Sequence, residues 1–234
     1  MRTILIMGSS GGLGTVLTNY FGQKDVNLAL HYFKNEPKTI PSNAKAFQAD
    51  IRNESEIKDL IDTVANEFGS IDVVLNNAGI SKSEISWKAQ QESWEDTMAI
   101  NLTGPFLVAK HALKYMRDQQ FGRIIFMSSI VAQTGFIGAS AYGASKAGLI
   151  GLTKSMSKEV ANKGITVNSI ALGYFNAGMI NDVPVEMQQK LMNDIPVREL
   201  GNPEQLAELM NYLISDKASY LTGQTLNLNG GLYS

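Results

Sequence analysis

Tyr142 and Lys146 stand four residues apart in the stretch 128–154, and a hydroxyl residue, Ser129, precedes the tyrosine by thirteen positions. Small residues, the absence of proline and the repeat Leu149, Leu152, Met156, Val160 predict a helix over 141–161. Such a helix carries the phenol and the ammonium on one face. A tyrosine ordinarily loses its proton near pH ~10, and a fixed cation beside it stabilises the phenolate and lowers that value. Tyr142 is therefore expected to exchange protons near neutrality. The apolar run 123–127 reads as a strand whose tip brings the Ser129 hydroxyl to the same place. Taken alone, a Tyr-x-x-x-Lys spacing is more often a solvated helix face than a proton relay. The surrounding elements decide between the two.

Those elements begin at once. Residues 3–7 form a short apolar run of the kind buried on both faces of a parallel sheet, and they lead into Gly8-Ser-Ser-Gly11-Gly12-Leu-Gly14 and a helical pattern through Phe21. Strand, glycine loop and helix N-terminus make an anion site, because glycine lets the backbone approach a pyrophosphate and the helix end offers free N–H groups. The contacts expected there come from Gly8, Ser10, Gly11, Gly12, Leu13 and Gly14, although the Gly-x-x-x-Gly-x-Gly spacing departs from Gly-x-Gly-x-x-Gly. A second strand is predicted over 26–33, with no carboxylate before Glu36 to hold a ribose 2′-hydroxyl. A cation without a competing carboxylate suits a 2′-phosphate, so NADP is favoured over NAD, with Lys34 or Asn35 as the contact.

A third strand over 46–49 carries Asp50 and Ile51 towards the adenine, and a helix follows over 55–68. The strand 71–75 leads into Asn76-Asn77-Ala78-Gly79, where small residues admit a cofactor and asparagine amides tie adjacent strands. A long helix over 93–119 contains Asn101 and is expected to kink at Pro105. The sixth strand, 164–171, ends in Leu172-Gly173-Tyr174-Phe175. Residues 176–200, with Met179, Met187 and Met192, read either as a helical flap over a substrate cleft or as core filler. A helix over 203–213 and a strand over 221–228 close the chain. The alternation implies one α/β domain spanning 1–234, a Rossmann-type, doubly wound parallel sheet of about seven strands with helices on both faces.

Composition narrows the function classes. With 234 residues and 44% hydrophobic content the chain buries a large core, and a net charge of −2 with mixed signs leaves no basic footprint for nucleic acid or an anionic membrane. Cysteine is absent and only His31 and His111 are present, which excludes thiol chemistry and disfavours any metal site. No run reaches the length of a membrane span, and a cytoplasmic location is the simplest expectation.

With these residues in hand, the chain resembles the short-chain dehydrogenases/reductases over essentially its whole length. The resemblance rests on Gly8-x-x-x-Gly12-x-Gly14, Asn76-Asn-Ala-Gly79, Asn101, Ser129 and Tyr142-x-x-x-Lys146 in the family's order. Within the family it is most similar to bacterial 3-oxoacyl-[acyl carrier protein] reductases, through Gly122-Arg-Ile-Ile, Gly164-Ile-Thr-Val-Asn168, Arg198-x-x-Gly201-x-Pro-Glu204 and the tail 222–231. It implies an NADPH-dependent ketoreductase acting on a 3-oxoacyl thioester. In that reading Tyr142 is the general acid, Ser129 the hydroxyl that holds the carbonyl oxygen, Lys146 the ribose ligand and Asn101 the holder of a relay water. The cofactor would touch the glycine loop, Lys34, Asp50, Ile51, Asn77, Ala78, Gly79, Phe175, Tyr142 and Lys146. The resemblance also implies a homodimer or homotetramer, built on the faces 106–116 and 149–160 and on the tail 221–233.

Departures from the family's pattern are Met7, Gly11, Ala141, Leu172 and Ala177, with Gln120 at one of two basic carrier-docking positions and Lys163 at the other. They keep two alternatives open: a dehydrogenase or reductase of free small ketones or alcohols, and a dinucleotide sensor without catalysis.

Overall fold

The computed structural model describes every residue, Met1–Ser234. Seven parallel strands form one sheet in the order β3-β2-β1-β4-β5-β6-β7. They are β1 (Arg2–Met7), β2 (Val26–Tyr32), β3 (Ala44–Gln48), β4 (Val73–Asn76), β5 (Gly122–Ser129), β6 (Ile165–Leu172) and β7 (Thr225–Leu228). Every residue of β4, β5 and β6 is buried, which is why these strands read as unbroken apolar runs and not as alternating ones. The order reverses between β1 and β4. In an open parallel sheet that reversal opens a crevice at the carboxyl ends of the strands, where ligands bind.

Helices cover both faces. On one lie α1 (Gly12–Phe21) and α8 (Pro203–Leu213), whose Leu17, Phe21, Leu206, Met210 and Leu213 pack on Ile4, Ile6, Leu28, Leu30 and Ile125. On the other lie α2 (Glu54–Phe68), α4 (Gly104–Gln119) and α6 (Ser140–Val160), which bury Ile57, Ile61, Val108, Met116, Leu149 and Met156 against Leu5, Val74 and Phe126. Local chemistry sets several boundaries. Asn53 caps α2 by accepting from the N–H groups of Ser55 and Glu56, and Gly69 ends that helix at φ +80°. Asn202 caps α8 ahead of Pro203 in its first turn.

Four features of the chain refine or correct these expectations. First, no helix joins β2 to β3; residues 33–43 are a loop. The loop suffices because β3 turns Ala44 and Ala46 to the α1 face, in register with Leu28 and Leu30, and small side chains need little cover. Pro37 is buried there, and Pro41 packs so close to Gly22 that a Cβ on the glycine would lie 2.6 Å from it.

Second, the long helix expected over 93–119 is present as a continuous helical run, Gln91–Gln119, in which a π turn over Ala99–Thr103 separates α3 (Gln91–Met98) from α4. Pro105 offers no N–H to the Asn101 carbonyl four residues earlier, and its ring would clash with that carbonyl in a regular helix. Third, the last strand starts only at Thr225; the residues before it turn, with the Thr222 hydroxyl accepting from the N–H of Val167.

Fourth, residues 176–200 form a 3-10 turn (Gly178–Asp182) and the helix α7 (Val185–Asp194), and the turn packs on the start of α1. The stretch is helical, and its turn meets the glycine loop, Gly178 lying against Gly12. A short helix α5 (Val131–Thr134) follows β5.

Candidate active site

β5 ends at Ser129 and β6 beside it at Leu172, so the serine lies at the carboxyl edge of the sheet. α6 is fixed to that edge by two bonds. The Ser128 hydroxyl donates to the Lys146 carbonyl at 2.9 Å, and the Lys146 ammonium donates to the Met127 carbonyl at 2.7 Å. Lys146 is only 4% exposed, and this burial lowers its pKa from the usual lysine range to about 8. Its Nζ lies 5.7 Å from the centre of the Tyr142 ring.

The tyrosine does not behave as the sequence leads one to expect. Burial pushes the Tyr142 pKa up, a hydrogen bond from Ser129 pulls it down, and the neighbouring phenol of Tyr174 pushes it up again. Burial is the largest of these effects, and the Lys146 ammonium gives one of its donors to the Met127 carbonyl. In the chain by itself Tyr142 is thus a protonated phenol at neutral pH. The Ser129 hydroxyl also accepts from the N–H of Val131 at 3.2 Å, which orients it at the start of α5.

Asn101 is fully buried, and its side chain is spent on structure. Its Oδ1 accepts from the N–H of Ile80 at 2.9 Å, while Nδ2 donates to the Ile80 carbonyl at 2.8 Å and to the Ser145 hydroxyl at 3.2 Å. These bonds tie the segment after β4 to α6. Gly79 sits over the junction: a Cβ there would lie 3.3 Å from Asn101 Oδ1 and 3.4 Å from Lys146 Nζ. Glycine keeps that approach to the lysine open.

The glycine loop has the shape that a pyrophosphate needs. Gly8 adopts φ +70°, and a Cβ on it would fall 2.8 Å from Ala78 Cα; a Cβ on Gly14 would fall 2.1 Å from the Gly8 carbonyl oxygen. Asn77 Nδ2 donates to that carbonyl at 2.9 Å, tying β4 to the loop as expected of an asparagine there. The first turn of α1 carries no side-chain cap and no acidic residue, which leaves its N–H groups and positive dipole for an anion. Gly11 and Gly12 are exposed, Ser10 and Leu13 half-buried. The cradle is open, and its residues fit a dinucleotide. Gly12 also meets Gly178, whose backbone nitrogen would lie 2.3 Å from a Cβ on Gly12.

At the opposite end of the groove the residues are more exposed. Lys34 lies 5.6 Å from the ring centre of Phe33, which is 41% exposed. Asp50 is held by Arg52 in a bidentate pair, with contacts of 2.7 to 3.1 Å, so the guanidinium keeps its carboxyl below the usual range. Ile51 is buried against Gly104. Phe175 is 5% exposed, its ring packed against Gly201 within the core on the α1 face, which leaves its backbone as the part that could meet a cofactor.

Sequence reasoning missed three neighbours. Arg52 lies 5.6 Å from the Phe33 ring, which only the pairing of β2 with β3 brings about; its signal was a cation directly after Asp50-Ile51. Tyr174 faces Tyr142 from the end of β6. His31 is buried under the glycine loop.

Comparison with known proteins agrees with this arrangement. The family model described as enoyl-(acyl carrier protein) reductase matches residues 8–233. A protein of Staphylococcus epidermidis named 3-oxoacyl-[acyl-carrier-protein] reductase FabG is 34% identical over 99% of this chain and 99% of its own length. Proteins of the same name from Staphylococcus aureus and Vibrio cholerae are 35% and 33% identical, over 99% of this chain and 98% and 97% of their own. With a seven-stranded parallel sheet, an open glycine cradle and full-length matches of this kind, the chain belongs to the short-chain dehydrogenase/reductase family, oxidoreductases that use a nicotinamide dinucleotide on a ketone or alcohol group.

Proposed function

We propose that this protein is an NADPH-dependent ketoreductase that converts a carrier-bound 3-oxoacyl thioester to the 3-hydroxyacyl product. The observation that carries the reading is the meeting of the Ser129 hydroxyl and the protonated Tyr142 phenol beside a buried ammonium. The names of the full-length relatives support the substrate class.

The nicotinamide, when bound, supplies the hydride. The chain supplies the rest. Tyr142, its pKa raised, holds a proton ready for a carbonyl oxygen that becomes an alkoxide, and Ser129 stabilises the same oxygen as charge develops. Lys146 has three donors and spends one on Met127, leaving two for ribose hydroxyls. Asn101 would serve any relay water through its backbone carbonyl, to which Pro105 cannot donate, because its amide is already committed.

The preference for NADPH rests on Lys34 and Arg52 around Phe33, with no carboxylate at the end of β2. The partner is an acyl carrier protein, and the location the cytoplasm; no helix is long and apolar enough to cross a membrane. A second copy would cover the shallow groove lined by Leu102, Phe106, Gly148, Gly151 and Leu152. Most of the apolar positions expected to serve this contact, such as Val108, Met116, Leu149 and Val160, are already spent in the chain's own core.

Loss of NADPH absorbance with a 3-oxoacyl thioester tests the reading. No turnover there, with rapid oxidation of a free alcohol by NAD, transfers it to a small-molecule dehydrogenase, which the uncharged Gln120 favours.

A further inference from the structure

One side chain joins the end of β2, the glycine loop and the end of β3. His31 is 2% exposed. Its Nδ1 accepts from the backbone N–H of Gly8 at 3.1 Å, and its Nε2 faces the Ala49 carbonyl at 3.0 Å. Its own carbonyl accepts from both the N–H and the hydroxyl of Ser9, each at 2.9 Å. A backbone N–H can only donate and a carbonyl can only accept, so these partners require the neutral ring with its proton on Nε2. Gly8 is thereby held on both sides of its Cα, by His31 at the nitrogen and by Asn77 at the carbonyl oxygen.

We propose that His31 is a positioning residue for dinucleotide binding: through Nδ1 it fixes the Gly8 peptide of the phosphate loop, and its protonation releases that peptide and weakens the cofactor. The proposal rests on the dinucleotide reading above. A proton on Nδ1 would confront the Gly8 N–H with a second donor, so the tie cannot survive in the charged form. The setting favours the neutral ring. Burial pushes the His31 pKa below its usual value, against smaller opposing effects of the Ala49 carbonyl and the Asp50 carboxylate. The flanking segments of β1 and the loop, Met7–Ser9, carry no charge, and neither do Phe47–Ala49 of β3. Asp50 is chelated by Arg52, and Glu56 of α2 is engaged with the Asp50 N–H. Further along the chain Lys34 and Glu36 are exposed. The sign follows: with a lowered folded-state pKa, the tie is complete above about pH 6.5 and is lost as pH falls through the lower value.

The test measures dissociation constants of NADP+ and NAD+ by calorimetry from pH 5 to 8 for the wild type, His31→Asn and His31→Gln. Asn Oδ1 occupies the position of Nδ1 and does not titrate, whereas Gln reaches towards Ala49 without an acceptor at the δ position. Wild-type affinity for both ligands should fall about fivefold between pH 7.5 and 5. His31→Asn should bind NAD+ with a nearly flat profile; any slope left with NADP+ belongs to the ligand's own 2′-phosphate. His31→Gln should bind about five- to tenfold more weakly at pH 7.5. The same acid loss of NAD+ affinity in His31→Asn as in the wild type overturns the proposal, and so does wild-type affinity in His31→Gln. If His31→Gln does not fold, the Asn profile decides alone. Wild-type protein that binds neither dinucleotide at pH 7.5 overturns the functional reading itself, and this inference with it.

Discussion

The two ends of the groove are built in opposite ways. At the Tyr142 end the side chains are buried and held by short bonds to backbone: Lys146 to Met127, Ser128 to Lys146, Asn101 to Ile80. At the Asp50 end they are exposed and held by ion pairs, Arg52 to Asp50 and Lys82 to Asp96. Buried hydrogen bonds keep atoms in place, whereas exposed ion pairs contribute little and exchange partners readily. On the proposed reading, the core fixes the chemistry and the surface sets the choice of cofactor.

Four experiments break or sharpen this contrast. The largest effect is expected at the buried end: Tyr142→Phe should lower kcat about a thousandfold and leave dinucleotide affinity within twofold. A loss shared equally between kcat and cofactor affinity would show that the two ends do not separate. Next, kcat/KM for ketone reduction should decline about tenfold per unit above pH about 8, as Lys146 loses its proton. A profile level to pH 9.5 would show that burial does not govern this amine. At the surface end, replacing Arg52 and Lys34 together by Ala should reduce the preference for NADPH over NADH about tenfold, the worth of one charge-assisted bond. Unchanged discrimination would place the 2′-phosphate elsewhere. The smallest effect tests stability away from the groove: Asn53→Ala, which removes the cap of α2, should cost about 1 kcal/mol in urea unfolding and leave turnover unchanged. A change in cofactor preference there would tie Arg52 to the helix behind it.

How much was legible follows from range. The four-residue step from Tyr142 to Lys146 and the glycine spacing are local, and the strand–loop–helix context they imply is present. The electrostatics was not local. A lowered tyrosine pKa follows from a neighbour on the same helix, but the structure buries the phenol and engages one Lys146 donor with a strand carbonyl. The roles of Arg52 and His31 are non-local for the same reason, since their partners Phe33, Gly8 and Ala49 belong to other strands or to the loop. The helix missing between β2 and β3 left its trace in Ala44, Ala46, Pro37 and Pro41, residues that make a helix dispensable.

That missing helix has a consequence for motion. β3 is an outermost strand, and α2 backs it on one side only, through the edge-on contact of Phe47 with Phe68 at 6.4 Å. A strand with so little cover opens locally at lower free energy than its neighbours. Amide hydrogens of residues 44–48 should exchange with solvent sooner than those of β1 or β4. Ala49, which anchors the imidazole, and Asp50 lie at the end of that strand. On the proposed reading, the adenosine half of the groove rests on a lightly covered edge strand, and filling it should slow exchange there.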